Sequence, residues 1–144
     1  MIELTSVMDN APSLDQTLCS EHALSAYLNY HGIKILFDAG QSEQTWKNAS
    51  RLGLDLSDLS VIVLSHAHYD HAAALRTFPG KPAGKTIYLG QNFFDPKYSQ
   101  TDDEKLYIGS HLDRDYLKDQ GYSVIEVKED MEIYPGLHLI TNFS

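Results

Sequence analysis

Cysteine is almost missing from this chain: Cys19 stands alone among 144 residues, so no disulfide can form within it, and the composition suits a reducing cytoplasm. Positive charge is scarce as well. Eleven Lys and Arg face twenty Asp and Glu, a formal charge of −9 that disfavours nucleic acid as a partner and suits the binding of cations. No apolar run approaches the roughly 18 residues of a membrane span. Glu3 and Asp9 interrupt the first apolar segment, so neither a membrane anchor nor a secretion signal is expected. Internal repeats, low-complexity tracts and linkers are lacking. No Gly-x-Ser-x-Gly elbow occurs, Cys19 has no activating partner, and Ser65 beside His66 makes no nucleophilic triad, which sets aside serine and cysteine hydrolases. With 42% apolar side chains at this length, one domain over residues 1–144 is expected.

Histidine, by contrast, is concentrated. Leu64-Ser65-His66-Ala67-His68-Tyr69-Asp70-His71 puts three imidazoles and a carboxylate into positions 66–71, directly after the apolar run Ser60 to Leu64. Imidazole nitrogen and carboxylate oxygen are ligands that zinc and similar divalent ions prefer, and manganese or iron accept the same set. In an extended segment, positions i and i+2 project to one side, so His66 and His68 converge on one ion. Asp70 and His71 fall where the chain turns into a helix expected over Ala72 to Phe78, aimed at a second point close to the first. Up to two ions fit this pattern. The plain alternatives are a polar surface loop, disfavoured by the density of histidine, and Asp70 as a cap of that helix, a role worth about 1 kcal/mol and compatible with ligation.

The arrangement His-x-His-x-Asp-His after a buried strand resembles the metallo-β-lactamase superfamily. Gly32-Ile33-Lys34-Ile35-Leu36-Phe37-Asp38-Ala39-Gly40 is similar to its earlier motif, a strand ending in Asp and a turn of small residues. Glu21-His22-Ala23-Leu24-Ser25 and Asn48-Ala49-Ser50-Arg51-Leu52-Gly53-Leu54 resemble one branch, the dihydropterin-ribofuranosylaminobenzene phosphate synthase-like metal-dependent hydrolases. The resemblance runs from Ile2 to Leu139 and implies an α/β fold, the N-terminal part of a metallo-β-lactamase-like αββα sandwich with a mixed sheet and flanking helices. It also implies that the chain is truncated at its C-terminus. The family's later ligands are a third His, an Asp bridging both ions and a final His; His111 and His138, the remaining histidines after His71, do not stand in matching contexts. Ala72-Ala73-Ala74 replaces glycines usual after the metal motif, and each Cβ narrows the space there. Thr141-Asn142 replaces a usual Thr-Gly pair.

The pattern of apolar residues and turn formers predicts strands at Ile2 to Met8, His22 to Tyr30, Ile33 to Phe37, Ser60 to Leu64, Thr86 to Leu89 and Tyr122 to Val127, with a hairpin of Glu132 to Tyr134 and Leu137 to Thr141 across Pro135-Gly136. Helices are expected over Ser42 to Leu52, with Trp46, Ala49 and Leu52 on one face, and over Leu112 to Gln120, stopped by Gly121. Asp9 to Ser20 and Asp95 to Lys105 read as loops.

The function expected is metal-dependent hydrolysis of an ester, phosphoester or related small-molecule substrate. His66 and His68 are assigned to a first ion and Asp70 and His71 to a second, with Asp70 also orienting the attacking water as the catalytic residue. Asp38 is expected to hold the histidine loop by accepting a hydrogen bond; turn chemistry is its plain alternative. His22 is a candidate for the pocket wall, with a structural role the plainer reading. A non-catalytic metal-binding or interaction module that kept half the fold is the alternative function. A half sandwich leaves one sheet face bare, so a homodimer or another partner is expected to cover it.

Overall fold

The computed structural model describes residues 1–141; Asn142, where the sequence departs from the Thr-Gly pair, lies outside the described residues. In chain order the strands are β1 (Ile2–Met8), β2 (Ser25–Tyr30), β3 (Ile33–Phe37), β4 (Val61–Leu64), β5 (Thr86–Gly90), β6 (Tyr98–Gln100), β7 (Lys105–Tyr107), β8 (Ser123–Val127), β9 (Met131–Tyr134) and β10 (Leu137–Leu139). The helices are α1 (Gln44–Arg51), α2 (Tyr69–Ala72) and α3 (Arg114–Gln120). Six strands form one mixed sheet in the order β1-β2-β3-β4-β5-β8. The first three are antiparallel, with β2 and β3 joined at His31-Gly32, where both residues take positive φ. From β3 onward the neighbours are parallel, and each parallel step needs a crossover. α1 supplies the first; α2 and the 3-10 segment Ala73–Thr77 supply the second; the β6–β7 hairpin and α3 lie in the third.

The sheet separates two apolar clusters. On one face Leu36, Ile62 and Ile87 pack with Trp46 and Ala49 of α1 and Leu117 of α3. On the other, Ile35, Val61 and Val63 are covered by the β9–β10 hairpin through Ile133, Leu137 and Leu139. β4 is buried along its whole length because both of its faces meet a cluster, which is why it reads as an unbroken apolar run. The hairpin covers only part of its face. Beside it runs an open trough of about 800 Å3, floored by Leu28, Phe37, Val63 and Tyr88 and reaching Ser65 and His66 at one end. Leu4 and Ile2, at 72% and 58% exposure, extend this apolar surface along β1. Among the described residues, no helix is long and apolar enough to cross a membrane.

Several boundaries differ from expectation for identifiable reasons. The helix expected over Ala72 to Phe78 is instead a single α-turn followed by a 3-10 segment. Backbone bonds there go to the 39–40 turn, with Ala39 N–H donating to His71 O at 2.7 Å and Ala74 N–H to Gly40 O at 3.0 Å, which diverts groups a regular helix would use internally. β2 starts at Ser25, not His22, because Ala23 N–H and Leu24 N–H donate to Asn10 Oδ1 and Asp70 O outside any strand ladder. Leu52 falls past the end of α1 and is half-exposed; the buried face is Thr45, Trp46, Asn48 and Ala49. Asn48 is buried because it is saturated: Nδ2 donates to Val7 O and Cys19 O, and Oδ1 accepts from Cys19 N–H. The polar stretch Asp95 to Lys105 holds β6 and the first residue of β7, a hairpin whose residues are exposed on both faces and therefore carry no period-two signal. α3 is capped by Asp113, whose Oδ1 accepts from Tyr116 N–H at 2.7 Å, and ends at left-handed Gly121.

Candidate metal centre

The carboxyl ends of parallel strands are where open α/β sheets collect their ligand-binding groups. β3 ends at Phe37 and delivers Asp38; β4 ends at Leu64 and delivers Ser65 and His66. Asp38 N–H donates to Val63 O at 2.8 Å, so the two strand ends are tied together before the chains diverge. Asp38 itself has φ of 56°, a conformation that costs a non-glycine residue about 1 kcal/mol or more and persists where the surroundings over-determine it. Here they do. Its carbonyl accepts from Ser25 Oγ, and the turn closes at Gly40, where φ is +76° and a Cβ would fall on Thr45 Oγ1.

The Asp38 carboxylate is fully buried and accepts three hydrogen bonds. Oδ1 takes Ser65 N–H at 2.7 Å; Oδ2 takes Ser65 Oγ–H at 2.6 Å and His71 Nδ1–H at 2.8 Å. These bonds settle two tautomers. A carboxylate only accepts, so His71 Nδ1 carries a hydrogen, and in the neutral ring Nε2 is bare. The single Ser65 hydroxyl hydrogen is committed to Asp38, so Ser65 Oγ accepts from His66 Nδ1 at 2.9 Å and His66 Nε2 is bare as well. Burial, followed by the neighbouring His71 and His68 rings, holds His66 below the ordinary imidazole range, in the neutral form that ligates metals.

His66, Asp70 and His71 each bring a ligand atom into a set spanning no more than 4.8 Å. Ligands of one tetrahedral zinc ion stand about 3.4 Å apart, about 1.6 bond lengths, a separation that lies within the span of this set. His71 Nε2 lies 3.6 Å from Asp70 Oδ2. With the His71 ring neutral, both are acceptors with no hydrogen between them, an arrangement that a cation relieves. The donor set therefore fits a divalent ion. His68 precedes α2 as its N-cap without a capping side-chain bond; its ring meets that of His66 at 4.6 Å between centroids, and its backbone bridges to Gly109. It flanks the three-residue set rather than joining it. Asp70 lies inside the first turn of α2 and caps nothing.

Of the flanking residues, His22 places Nε2 3.2 Å from Asp70 Oδ2, although its side chain is 68% exposed. His111 stands before α3 with φ of 61°, and His138 lies in β10 beside Glu132. Neither belongs to the three-residue set. Three polar residues that build the centre carry no pattern of their own in the sequence. Ser65 and Ser25 are recognisable only once β2, β3 and β4 are aligned, and Asn10 only once the loop before β2 is closed.

Comparison with known proteins agrees with this geometry. The sequence model of the metallo-beta-lactamase superfamily matches residues 22–139. The chain belongs to the metallo-beta-lactamase superfamily. A 57-residue stretch of the chain is 40% identical to the uncharacterized protein MJ0448 of Methanocaldococcus jannaschii, covering 40% of this chain and 22% of that one. The fold is similar to Tm1679, described as a metal-dependent hydrolase of the beta-lactamase superfamily, with TM-score 0.75 and 25% identity over 97% of this chain and 48% of the other. A putative metallo-beta-lactamase from Thermotoga maritima, tm0894, superposes with TM-score 0.57 at 17% identity, covering 93% of this chain and 62% of its own. The chain thus spans about half the length of Tm1679.

Proposed function

We propose that this chain carries the metal-binding portion of a hydrolase that uses a divalent ion, zinc in the first instance, on an ester or phosphoester. The observation that carries the reading is the set of His66, Asp70 and His71, whose ligand atoms lie within 4.8 Å of one another while bonds that end on one buried aspartate leave Nε2 of both neutral imidazoles bare. In this reading His66 and His68 serve one ion, and Asp70 and His71 a second beside it. A bound divalent ion supplies water of lowered pKa and polarises a substrate oxygen. Asp38 and Ser65 hold the two imidazoles in their ligating tautomer, and Asp70 orients the water through its carboxylate. The substrate class proposed is a small phosphorylated molecule; the likeness of the 21–25 and 48–54 segments to the dihydropterin-ribofuranosylaminobenzene phosphate synthase-like branch favours a pterin-linked one, and fold alone fixes no substrate.

A second reading, a metal-binding or interaction module without turnover, is favoured by the small number of donors: four residues divided over two ions leave each ion with few protein ligands. Elemental analysis of protein purified without added metal or chelator, followed by turnover of a generic phosphodiester by the wild type and His68→Ala, separates the two. One to two equivalents of metal with turnover lost in His68→Ala supports the hydrolase. Metal without turnover supports the module, and folded protein without metal sinks both.

A further inference from the structure

The segment before β2 makes a contact with the metal motif that the three-residue donor set does not account for. Asn48 fixes Cys19, Asp9 O accepts from Glu21 N–H, and Leu24 N–H donates to Asp70 O at 3.1 Å, so residues 9–24 are tied to the core at one end and to α2 at the other. Inside this segment Asn10 Oδ1 accepts from Ala23 N–H at 3.0 Å. That bond decides which end of the amide faces outward. The remaining end, Nδ2, lies 3.3 Å from His22 Nδ1.

An amide nitrogen only donates, so His22 Nδ1 accepts. A neutral imidazole that accepts at Nδ1 carries its hydrogen on Nε2, and His22 Nε2 is the atom 3.2 Å from Asp70 Oδ2. The polarity thus runs in one direction: Ala23 N–H orients Asn10, Asn10 selects the tautomer of His22, and His22 turns Nε2–H towards Asp70 Oδ2 at 3.2 Å. His22 is therefore the reverse of His66 and His71. Those two present a bare Nε2 to the centre; His22 presents Nε2–H to a carboxylate. Because the His22 ring is two-thirds exposed, water competes for both of its nitrogens, and the Asn10 bond is what biases the ring towards one tautomer and one orientation.

We propose that Asn10 and His22 form a positioning pair for Asp70, in which Asn10 sets the tautomer of His22 and His22 holds the Asp70 carboxylate in its ligating orientation. The inference rests on the reading of Asp70 as a metal ligand. Outer partners of this kind change metal affinity by about 10- to 100-fold when removed.

The test has two readouts on the full chain. The first is the 15N spectrum of the imidazoles in metal-free protein, which reports which nitrogen of His22 carries hydrogen. The expected result is Nε2–H in the wild type and a mixture of the two neutral tautomers in Asn10→Ala, which removes the donor facing His22 Nδ1 without adding a charge. The second is zinc affinity, measured by competition with a chromophoric chelator. His22→Ala and Asn10→Ala are expected to bind zinc about 10- to 100-fold more weakly than wild type, and His22→Gln, whose amide nitrogen reaches the Nε2 position, to recover most of the loss. Nδ1–H in the wild type overturns the proposal, as does affinity within twofold of wild type in both weakened variants. Wild-type protein that binds no zinc overturns the proposed function instead, and the tautomer readout, taken without metal, keeps the two failures apart.

Discussion

Asp38 concentrates more of this molecule's polar chemistry than any ligand does. It is buried, sits in a strained backbone conformation, and receives three donors on two oxygens. Replacing it with Asn puts an amide donor among those donors. Asp38→Asn is therefore expected to lose about 1–3 kcal/mol of stability, read from the urea midpoint, together with at least tenfold in zinc affinity. An unchanged midpoint would mean that the network contributes nothing net. His66 gives a pH signature. Its folded pKa lies below the ordinary value of 6.5, so the unfolded chain binds the proton first. The stability contributed by neutral His66 is fully present above about pH 6.5 and is lost as the pH falls through that value towards the lowered folded one. In metal-free protein, the urea midpoint should drop more between pH 7.5 and 5.5 for the wild type than for His66→Gln, and equal drops would remove burial of His66 as a cause. At this scale the candidate donors His66, Asp70 and His71 were legible in the sequence because they are nearly contiguous, whereas Ser65, Ser25 and Asn10 were not, since a hydroxyl or amide acquires its partner only when distant segments meet.

Among the elements, the short helices owe more to tertiary bonds than to propensity. α2 is one turn long, far below the length at which a helix is stable by itself. It is held by Ala39 N–H and Ala74 N–H bonded across the 39–40 turn and by the Asp38 bond to His71. This explains why a helix expected from Ala72-Ala73-Ala74 begins three residues earlier and changes to 3-10 geometry: intrinsic preference is worth less than the bonds competing for the same backbone groups. The loop 9–20 is governed in the same way, by the buried side chain of Asn48. Asn48→Ala leaves Val7 O and Cys19 without partners, and a loss of about 1–3 kcal/mol is expected. Hydrogen exchange should rise at residues 19–24 before it rises in β3 or β4; uniform acceleration across the sheet would show that Asn48 supports the core and not the loop. The β6–β7 hairpin was invisible to pattern reading because both of its faces are wet, so alternation, the usual signal of a strand, has no cause there.

The molecule as a whole presents a sheet with one face covered by helices and the other only partly closed by β9 and β10. Ile2, Leu4 and Phe37 remain exposed on that second face, beside a trough that ends at His66. Contiguous apolar surface of this kind is uncommon on an isolated soluble chain, and we propose that a second copy covers it. Light scattering after gel filtration should give twice the chain mass, and Leu4→Glu should return it to one; a wild-type monomer would show that this chain keeps the face bare. By itself the sequence determined the superfamily and the position of the candidate centre, because a strand followed by His-x-His-x-Asp-His is a local pattern whose residue types are dictated by the ion they can hold. It determined most strands too, through runs and alternations that burial imposes along a few consecutive residues. Only the tertiary structure decided which nitrogens of His66 and His71 take the Ser65 and Asp38 bonds, why Asp38 is buried and strained, where α2 begins, and that His22 reaches Asp70 and Asn10 reaches His22. Those outcomes depend on hydrogen bonds between segments tens of residues apart, and such bonds leave no periodic trace in either partner.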